Sequence, residues 1–506
     1  MTPSLEKLWK ELEQPLSHPD PGELKHHIEH LTDWLLRHFQ TLPDQSIGRN
    51  ASRQQMEALL AGPAPEEGRK FAHVLQDFEE KIAPFAFRVN HPRFLAFIPG
   101  APNFISVLGE MLCAGTNFFA GVWLEASGPS EVECQVLNWF RDLLGMGEDT
   151  RGIITSGGSE ANLTALTVAR EILSFEDRSR AVLYITDQRH RSVDRAAKII
   201  GMRSDQIQPV PADESYRLSG SALMETIRRD REAGRLPWAV VANAGATNTG
   251  AVDPLDRLAD ICRDNHIWFH VDAAYGWSAV LIPEGQKVLR GIERADSITL
   301  DPHKWFGQTF EAGCVLVRRG KLLADTFAMR PEYMQDVAPA EDEINFADYG
   351  LALTRRFRAL KIWLSVQVLG LGWYRDMVQR CCRLAQLAEG LLQRSSRFQI
   401  LSPRQLSIVC FRYVPQGFQP QGETGDKKLD GLNEALVNEL LATGRAFISS
   451  TRLQGKVALR FCFVNWRTTS RDVEEIVQLL EDIGQRLAAR FVMEHSSGAS
   501  YQSKTL

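Results

Sequence analysis

Six short apolar runs, at residues 152–155, 181–185, 238–242, 267–272, 297–301 and 314–317, constrain this chain more than any other feature. Helical stretches at 160–172, 192–200 and 256–265 fall between them. Runs with little polar alternation belong to strands buried on both faces. Strands that alternate with helices build a mostly parallel sheet with helices over it. The expected class is therefore α/β.

The flanks read differently. Residues 1–80 predict short amphipathic helices, with Leu5, Leu8, Trp9 and Leu12, and then Ile28, Leu31, Leu35 and Phe39, at helical spacing. Nothing there promises a core of its own, so these helices are expected to pack against the main domain or a second subunit. His26 and His30 stand at i,i+4. No acidic or cysteine partner pattern joins them, so a polar helix face is the reading and no metal is expected. Residues 330–350 are acidic and irregular, as in a mobile loop, and 356–396 predict long helices. A smaller C-terminal unit follows, with strands at 407–413 and 457–464, a flexible segment at 416–428, helices at 429–442 and 472–490, and a polar, disordered tail from 494. The expected organisation is an N-terminal helical segment (1–83), a large α/β domain (84–375), a small α+β domain (376–493) and the tail.

A chain of 506 residues with 44% hydrophobic and 24% charged residues can bury a large core. A formal net charge of -5 without a basic run gives no electrostatic case for nucleic acid. The eight cysteines are scattered without a C-x-x-C pair, which points to neither a zinc knuckle nor a redox dithiol. The sequence shows neither a signal-peptide pattern nor an apolar run long enough for a membrane span, so a cytoplasmic protein is expected.

The chemistry-bearing residues fall where strands end, which in open parallel sheets is where ligands bind. Thr155-Ser156-Gly157-Gly158-Ser159 joins a strand to a helix. Its glycines admit a close-lying anion, the helix N-terminus favours one, and Ser159 adds a hydroxyl. The pattern is neither a P-loop nor a dinucleotide fingerprint, and a plain strand–helix turn would look similar. Asp272 closes another strand, either as a cap or as the partner of a ring N–H. Lys304 follows the next strand, with Trp305 and Phe306 arguing against full exposure. His190 stands after a strand end, either as a structural residue or as a group that stacks on a planar ring. A phosphate seat, a ring stacker, a carboxylate for a ring nitrogen and an amine are together what pyridoxal 5'-phosphate (PLP) requires.

The sequence resembles the group II PLP-dependent amino-acid decarboxylases, the family of the aromatic-L-amino-acid, glutamate and cysteine sulfinate decarboxylases. The likeness covers about residues 5–490. It is carried by Asn90-His91-Pro92-Arg93-Phe94, Ser156-Gly157-Gly158-Ser159-Glu160-Ala161-Asn162, His190-Arg191-Ser192-Val193, Val271-Asp272-Ala273-Ala274-Tyr275-Gly276, Asp301-Pro302-His303-Lys304-Trp305 and Arg355-Arg356-Phe357-Arg358. It implies PLP fold type I, the aspartate aminotransferase-like architecture. It also implies Lys304 as the Schiff-base lysine, Asp272 at the pyridinium nitrogen and His190 over the ring. Gly157, Gly158, Ser159, Thr247, Ala274 and His303 complete the cofactor set, and Tyr333 is the catalytic tyrosine. Further implications are a homodimer with shared active sites and a substrate pocket containing Phe97, Ile98, Pro99, Phe104, Phe118 and Trp123, most of which core packing would explain as well.

The chain departs from the family pattern in two places. Ala246 replaces a threonine before Thr247, and Asp301 replaces the asparagine of the aromatic branch. His190-Arg191-Ser192-Val193 favours an aromatic L-amino acid as substrate, with an acidic one as the alternative. A further alternative is oxidative deamination to an aldehyde, which the family associates with a phenylalanine in place of the tyrosine. Arg460 is expected in a surface ion pair, although a substrate carboxylate is within its conceivable reach.

Overall fold

The computed structural model describes residues 3–14, 16, 20–329, 340, 342–418 and 422–497. The chain divides into two compact units, Met1–Arg88 and Val89–Leu506.

The first unit is helical. Its longest helix, Pro21–Thr41, starts where Asp20 accepts the backbone N–H groups of Gly22 and Glu23 at 2.7 and 3.0 Å. Such a cap satisfies N–H groups that have no partner inside the helix. No residue of this helix is buried. Trp9, Leu12 and Ile28 are more than half exposed. The amphipathic pattern therefore produced helices without a core among the described residues of this unit beyond Leu42 and Ile47.

The second unit holds two sheets. The larger has seven strands: β1 (Arg151–Thr155), β2 (Ala181–Thr186), β3 (Ile207–Val210), β4 (Leu236–Asn243), β5 (Trp268–Asp272), β6 (Ser297–Leu300) and β7 (Gly313–Val317). Their spatial order is β1-β7-β6-β5-β4-β2-β3. Pairs among β6, β5, β4, β2 and β3 are parallel, and β7 runs antiparallel to β1 and β6. β2, β5, β6 and β7 are buried along their whole length, as uninterrupted apolar runs require. The smaller sheet, ordered β10-β11-β9-β8, is antiparallel, with β8 (Phe398–Ile400), β9 (Ile408–Tyr413), β10 (Ser449–Leu453) and β11 (Lys456–Cys462). The mostly parallel α/β architecture expected from the alternation is the one observed.

Several local expectations change. β3 and the helix Gly220–Glu232 lie in a stretch the periodicity left unassigned. The supposedly flexible segment at 416–428 becomes helical from Gly422. Arg412, buried in β9, donates to Asp426 and Asp430 at 2.9 and 2.7 Å and so anchors the helix at its second and third turns. Polar composition was a misleading guide here, because the partner of these acids is remote in sequence. Of the 330–350 stretch read as a mobile loop, residues 330–339 and 341 lie outside the described residues, and Phe346–Asp348 is a 3₁₀ turn with Phe346 buried. The closing helix, Ser470–Ser497, runs into the stretch read as a tail. Extending a formed helix costs far less than starting one. Among the described residues no helix is long and apolar enough to cross a membrane.

Beneath the large sheet's first strand lies a buried ion pair. Arg355 Nη2 stands 2.6 Å from Glu133 Oε1 and 2.9 Å from the carbonyl of Ile154, and Glu133 also accepts the N–H of Ile154 at 2.9 Å. Both side chains are 1% exposed. The pair ties the helix Trp123–Leu143 to β1 two residues before the glycine turn.

Candidate active site

The C-terminal ends of β1, β2, β4, β5 and β6 open into one cleft of about 330 Å³. It receives Ser156 to Ser159 after β1, His190 after β2, Gly245 and Thr247 after β4, Asp272 and Ala274 at the end of β5, and Asp301, His303 and Lys304 after β6. Parallel strands alone place these residues side by side, since their carboxyl ends share one edge of the sheet.

The glycine turn is formed locally. Glu160, in the first turn of the helix Gly158–Glu171, reaches back to accept both the N–H and the hydroxyl of Ser156, at 2.7 and 2.6 Å. Side chains on the two glycines would crowd the cleft. A Cβ on Gly158 would stand 2.9 Å from Asp301 Oδ2, and one on Gly157 would stand 3.2 Å from His303 Cε1. Gly245 has φ +102, and a Cβ there would meet Tyr275 Cδ1 at 2.7 Å.

Asp272 is 7% exposed. Its Oδ2 accepts from Asn162 Nδ2 at 2.9 Å and its Oδ1 from the N–H of Ala274 at 3.2 Å. Lys304 Nζ lies 2.9 Å from Asp301 Oδ2. Burial pulls the amine's pKa down, but the contact with Asp301 and the charge of Asp272 outweigh it and hold it above the usual lysine value. Asp301 Oδ1 is buried with no hydrogen-bond partner among the described residues.

Both cleft histidines have a fixed proton position. His303 Nδ1 accepts the N–H of Ala312 at 3.1 Å, so in the neutral ring Nε2 carries the proton. His190 caps the helix Arg191–Ile199 and accepts the Ser192 N–H at Nδ1, 3.3 Å away. Burial lowers both pKa values below the ordinary histidine range, against the pull of Asp301 on His303 and of Asp272 on His190. Both rings are therefore expected neutral near pH 7.

Of the cofactor residues named from the sequence, Gly157, Gly158, Ser159, His190, Thr247, Asp272, Ala274, His303 and Lys304 all line this cleft. Of the substrate-pocket residues Ile98 does, and Phe97, Pro99, Phe104, Phe118 and Trp123 do not. Phe97 is 58% exposed, Pro99 is buried, and Phe104 and Trp123 are half-buried, each starting a helix. Tyr333 lies outside the described residues. Arg460 is no surface residue: it is 3% exposed, and it donates to the carbonyls of Phe97 and Asn248 at 2.7 and 3.1 Å. Asn162, Ser192, Asn243 and Tyr275 also line the cleft. The sequence reading quoted three of them inside motifs without giving them a task. Their signal was a polar residue beside a strand end, which has no meaning until register is known.

The residue set fits PLP. A carboxylate held in a buried position suits a ring N–H, and the glycine turn with the Nε2–H of His303 suits a phosphate. Lys304 supplies a primary amine at the same cleft. Among the described residues no group of three His, Cys, Asp or Glu side chains stands ready for a metal ion.

Comparison with known proteins agrees. The conserved domain of pyridoxal-dependent decarboxylases matches residues 54–414. An aromatic-L-amino-acid decarboxylase of Bacillus atrophaeus is 38% identical over 460 residues, which is 91% of this chain and 95% of that one. Two solved structures are also similar. Catharanthus roseus tryptophan decarboxylase, in complex with L-tryptophan, has a TM-score of 0.86 at 25% identity and covers 93% of this chain and 100% of its own. Rhodiola rosea 4-hydroxyphenylacetaldehyde synthase has a TM-score of 0.85 at 26% identity, with coverage of 92% and 99%.

Proposed function

This chain belongs to the pyridoxal-dependent decarboxylase family, and on that premise we propose that it converts an aromatic L-amino acid to the corresponding amine and CO2. The observation that carries the proposal is the convergence of Asp272, His190, His303 and Lys304 with the glycine turn on one cleft. The 38% identity to an aromatic-L-amino-acid decarboxylase supports the substrate class.

PLP, when bound, supplies an electron sink for the pair of electrons that the departing carboxylate leaves behind. Each protein group then has a task. Lys304 would be the amine that binds the cofactor's aldehyde, and Asp301 holds its ammonium form. Asp272 would keep a proton on the ring nitrogen, which would deepen the sink. The first turn of the helix Gly158–Glu171, Ser159 and the Nε2–H of His303 would hold the phosphate. His190, neutral and protonated at Nε2, would face the cofactor ring and could donate to the substrate carboxylate. Tyr333 is proposed to deliver the proton to substrate Cα. We also propose a homodimer, in which two copies complete each other's sites.

The test is a panel of L-amino acids incubated with PLP-loaded protein and assayed for CO2, amine, aldehyde and peroxide. Amine from tryptophan, tyrosine, phenylalanine or dopa is the expected result. Turnover of glutamate, aspartate or cysteine sulfinate alone would move the substrate class to the acidic alternative. Aldehyde with peroxide would favour the second reading, oxidative deamination, which the likeness to an aldehyde synthase keeps in view.

A further inference from the structure

One buried side chain connects the two groups that the proposed function sets against the cofactor ring. Asn162 is 1% exposed. Its Nδ2 stands 2.9 Å from Asp272 Oδ2 and 2.9 Å from Ser192 Oγ. Its Oδ1 stands 2.9 Å from His270 Nε2 and 2.7 Å from Thr299 Oγ1. A carboxylate only accepts hydrogen bonds, so the nitrogen of the amide must face Asp272 and the oxygen must face His270. The rest follows by proton counting. His270 donates from Nε2, so in the neutral ring its Nδ1 accepts from the Ser297 hydroxyl at 2.8 Å. Ser297 in turn accepts the indole N–H of Trp268 at 2.9 Å. On the other branch Ser192 Oγ accepts from Asn162, so its own proton goes to His190 Nδ1 at 2.8 Å.

The register explains how this cluster forms. Asp272 and His270, two apart on β5, share a face. Thr299 and Ser297 are their Cα partners on β6. Asn162, on the first turns of the helix Gly158–Glu171, meets that row from above.

We infer that Asn162 is a positioning residue, whose two N–H groups fix the Asp272 carboxylate and turn the Ser192 hydroxyl toward His190 Nδ1. That hydroxyl adds a second, shorter hydrogen bond to the one from the Ser192 N–H, and both keep the proton of His190 on Nε2. The inference rests on the roles proposed for Asp272 and His190. An asparagine kept only to fill the core would have no need to spend both N–H groups on residues that line the cleft. Thr299 and His270 hold its carbonyl, and so set the amide's orientation without touching the cleft themselves.

The discriminating variant is Asn162→Asp, which keeps the shape and the acceptor facing His270 and Thr299. It puts a second carboxyl against Asp272. Titratable groups acting on this cluster are Asp272, His190, His270, Lys304, Asp301 and Arg195. At low pH a proton shared by the two acids can stand in for the amide N–H; at high pH two carboxylates face each other. The experiment titrates PLP into cofactor-free, full-length wild type, Asn162→Asp and Ser192→Ala between pH 6 and 8.5. It follows the visible absorbance of bound cofactor and the melting temperature of each protein.

We expect Asn162→Asp to bind PLP at least tenfold more weakly at pH 8.5 and nearly normally at pH 6. Ser192→Ala is expected to bind PLP normally and to lose about tenfold in kcat, with an altered kcat–pH profile. Asn162→Asp with a lowered melting temperature but a wild-type PLP affinity at every pH would overturn the inference, since that is what a packing role predicts. If Asn162→Asp does not fold, a wild-type kcat–pH profile in Ser192→Ala overturns it instead. Failure of wild type to develop the visible band would sink the underlying cofactor reading, a different and distinguishable outcome.

Discussion

At the floor of the cleft and directly behind it, Asp272, Asn162, His270 and Ser297 are joined by hydrogen bonds of 2.8–2.9 Å between side chains on two strands and a helix. At its edge, Ile98 follows Phe97, a residue with φ +56 whose backbone is pinned by Ser449 and Arg460 and whose ring meets only the edge of Phe447 among the described aromatic rings. The floor depends on directed polar contacts buried in the sheet, where one misplaced donor costs a full desolvation. The edge depends on apolar volume and a strained turn, where a change of side chain is cheap. Chemistry is expected to fail when the floor is altered, and selectivity to drift when the edge is altered.

The largest effect should come from Lys304→Ala. Losing the amine proposed to take the cofactor's aldehyde should abolish both the visible band and CO2 release. Residual turnover at more than about one part in 10⁴ would mean that another group does this work. Next comes the support beneath the floor. Arg355→Met strands Glu133 as a buried, unpaired charge and should cost about 3–5 kcal/mol, read as a lower urea midpoint with unchanged slope. A loss below about 1 kcal/mol would show that β1 does not depend on this brace.

The floor should also be the more sensitive part to acid. Burial pushes the His270 pKa down from 6.5 to about 4, against the opposing charge of Asp272. Between those values the unfolded chain binds a proton that the folded one refuses, so stability falls as pH drops from 6.5 toward 4. The slope from this residue is about 1.4 kcal/mol per pH unit, and the effect is absent above pH 7. His270→Gln should flatten the melting temperature in that window. An unchanged pH dependence would place the acid sensitivity elsewhere.

This division explains what could be read from the sequence. Strand-end glycines, Asp272 and Lys304 are fixed by local pattern, because a parallel sheet delivers every strand end to one edge whatever its exact order. The tasks of Asn162 and Ser192 were hidden. They depend on which β5 residue faces which helix turn, and that follows from strand order and register across more than 100 residues. Arg460 was misread for a similar reason: an arginine in a strand looks like a surface residue until its partners, the carbonyls of Phe97 and Asn248, are known to lie beside it. The helix from Gly422 was taken for a flexible segment because its anchor, Arg412, sits in another element. The apolar residues near the cleft carried no signal to separate packing from substrate contact, since both select for the same side chains.

Smaller effects are expected at the edge. Ile98→Ala removes apolar surface from the cleft wall and should change the kcat/KM ratio between tryptophan and tyrosine by about tenfold, within the 1–3 kcal/mol range typical of such pockets. A larger loss shared equally by both substrates would assign Ile98 to the floor. Phe97→Gly should have the smallest effect on stability. Glycine relieves a left-handed backbone conformation worth about 1 kcal/mol, while losing an edge-on aromatic contact worth about 0.5–1.5 kcal/mol. The two terms oppose each other, so the urea midpoint should move by less than about 1 kcal/mol equivalent. The hydrogen bonds from Arg460 and to Ser449 use only the backbone of residue 97 and survive the change. Any shift in substrate preference then reports the ring alone. Should Phe97→Gly instead abolish turnover of every substrate while leaving the visible band intact, residue 97 would belong with the polar floor, and the division drawn between the two regions would fail.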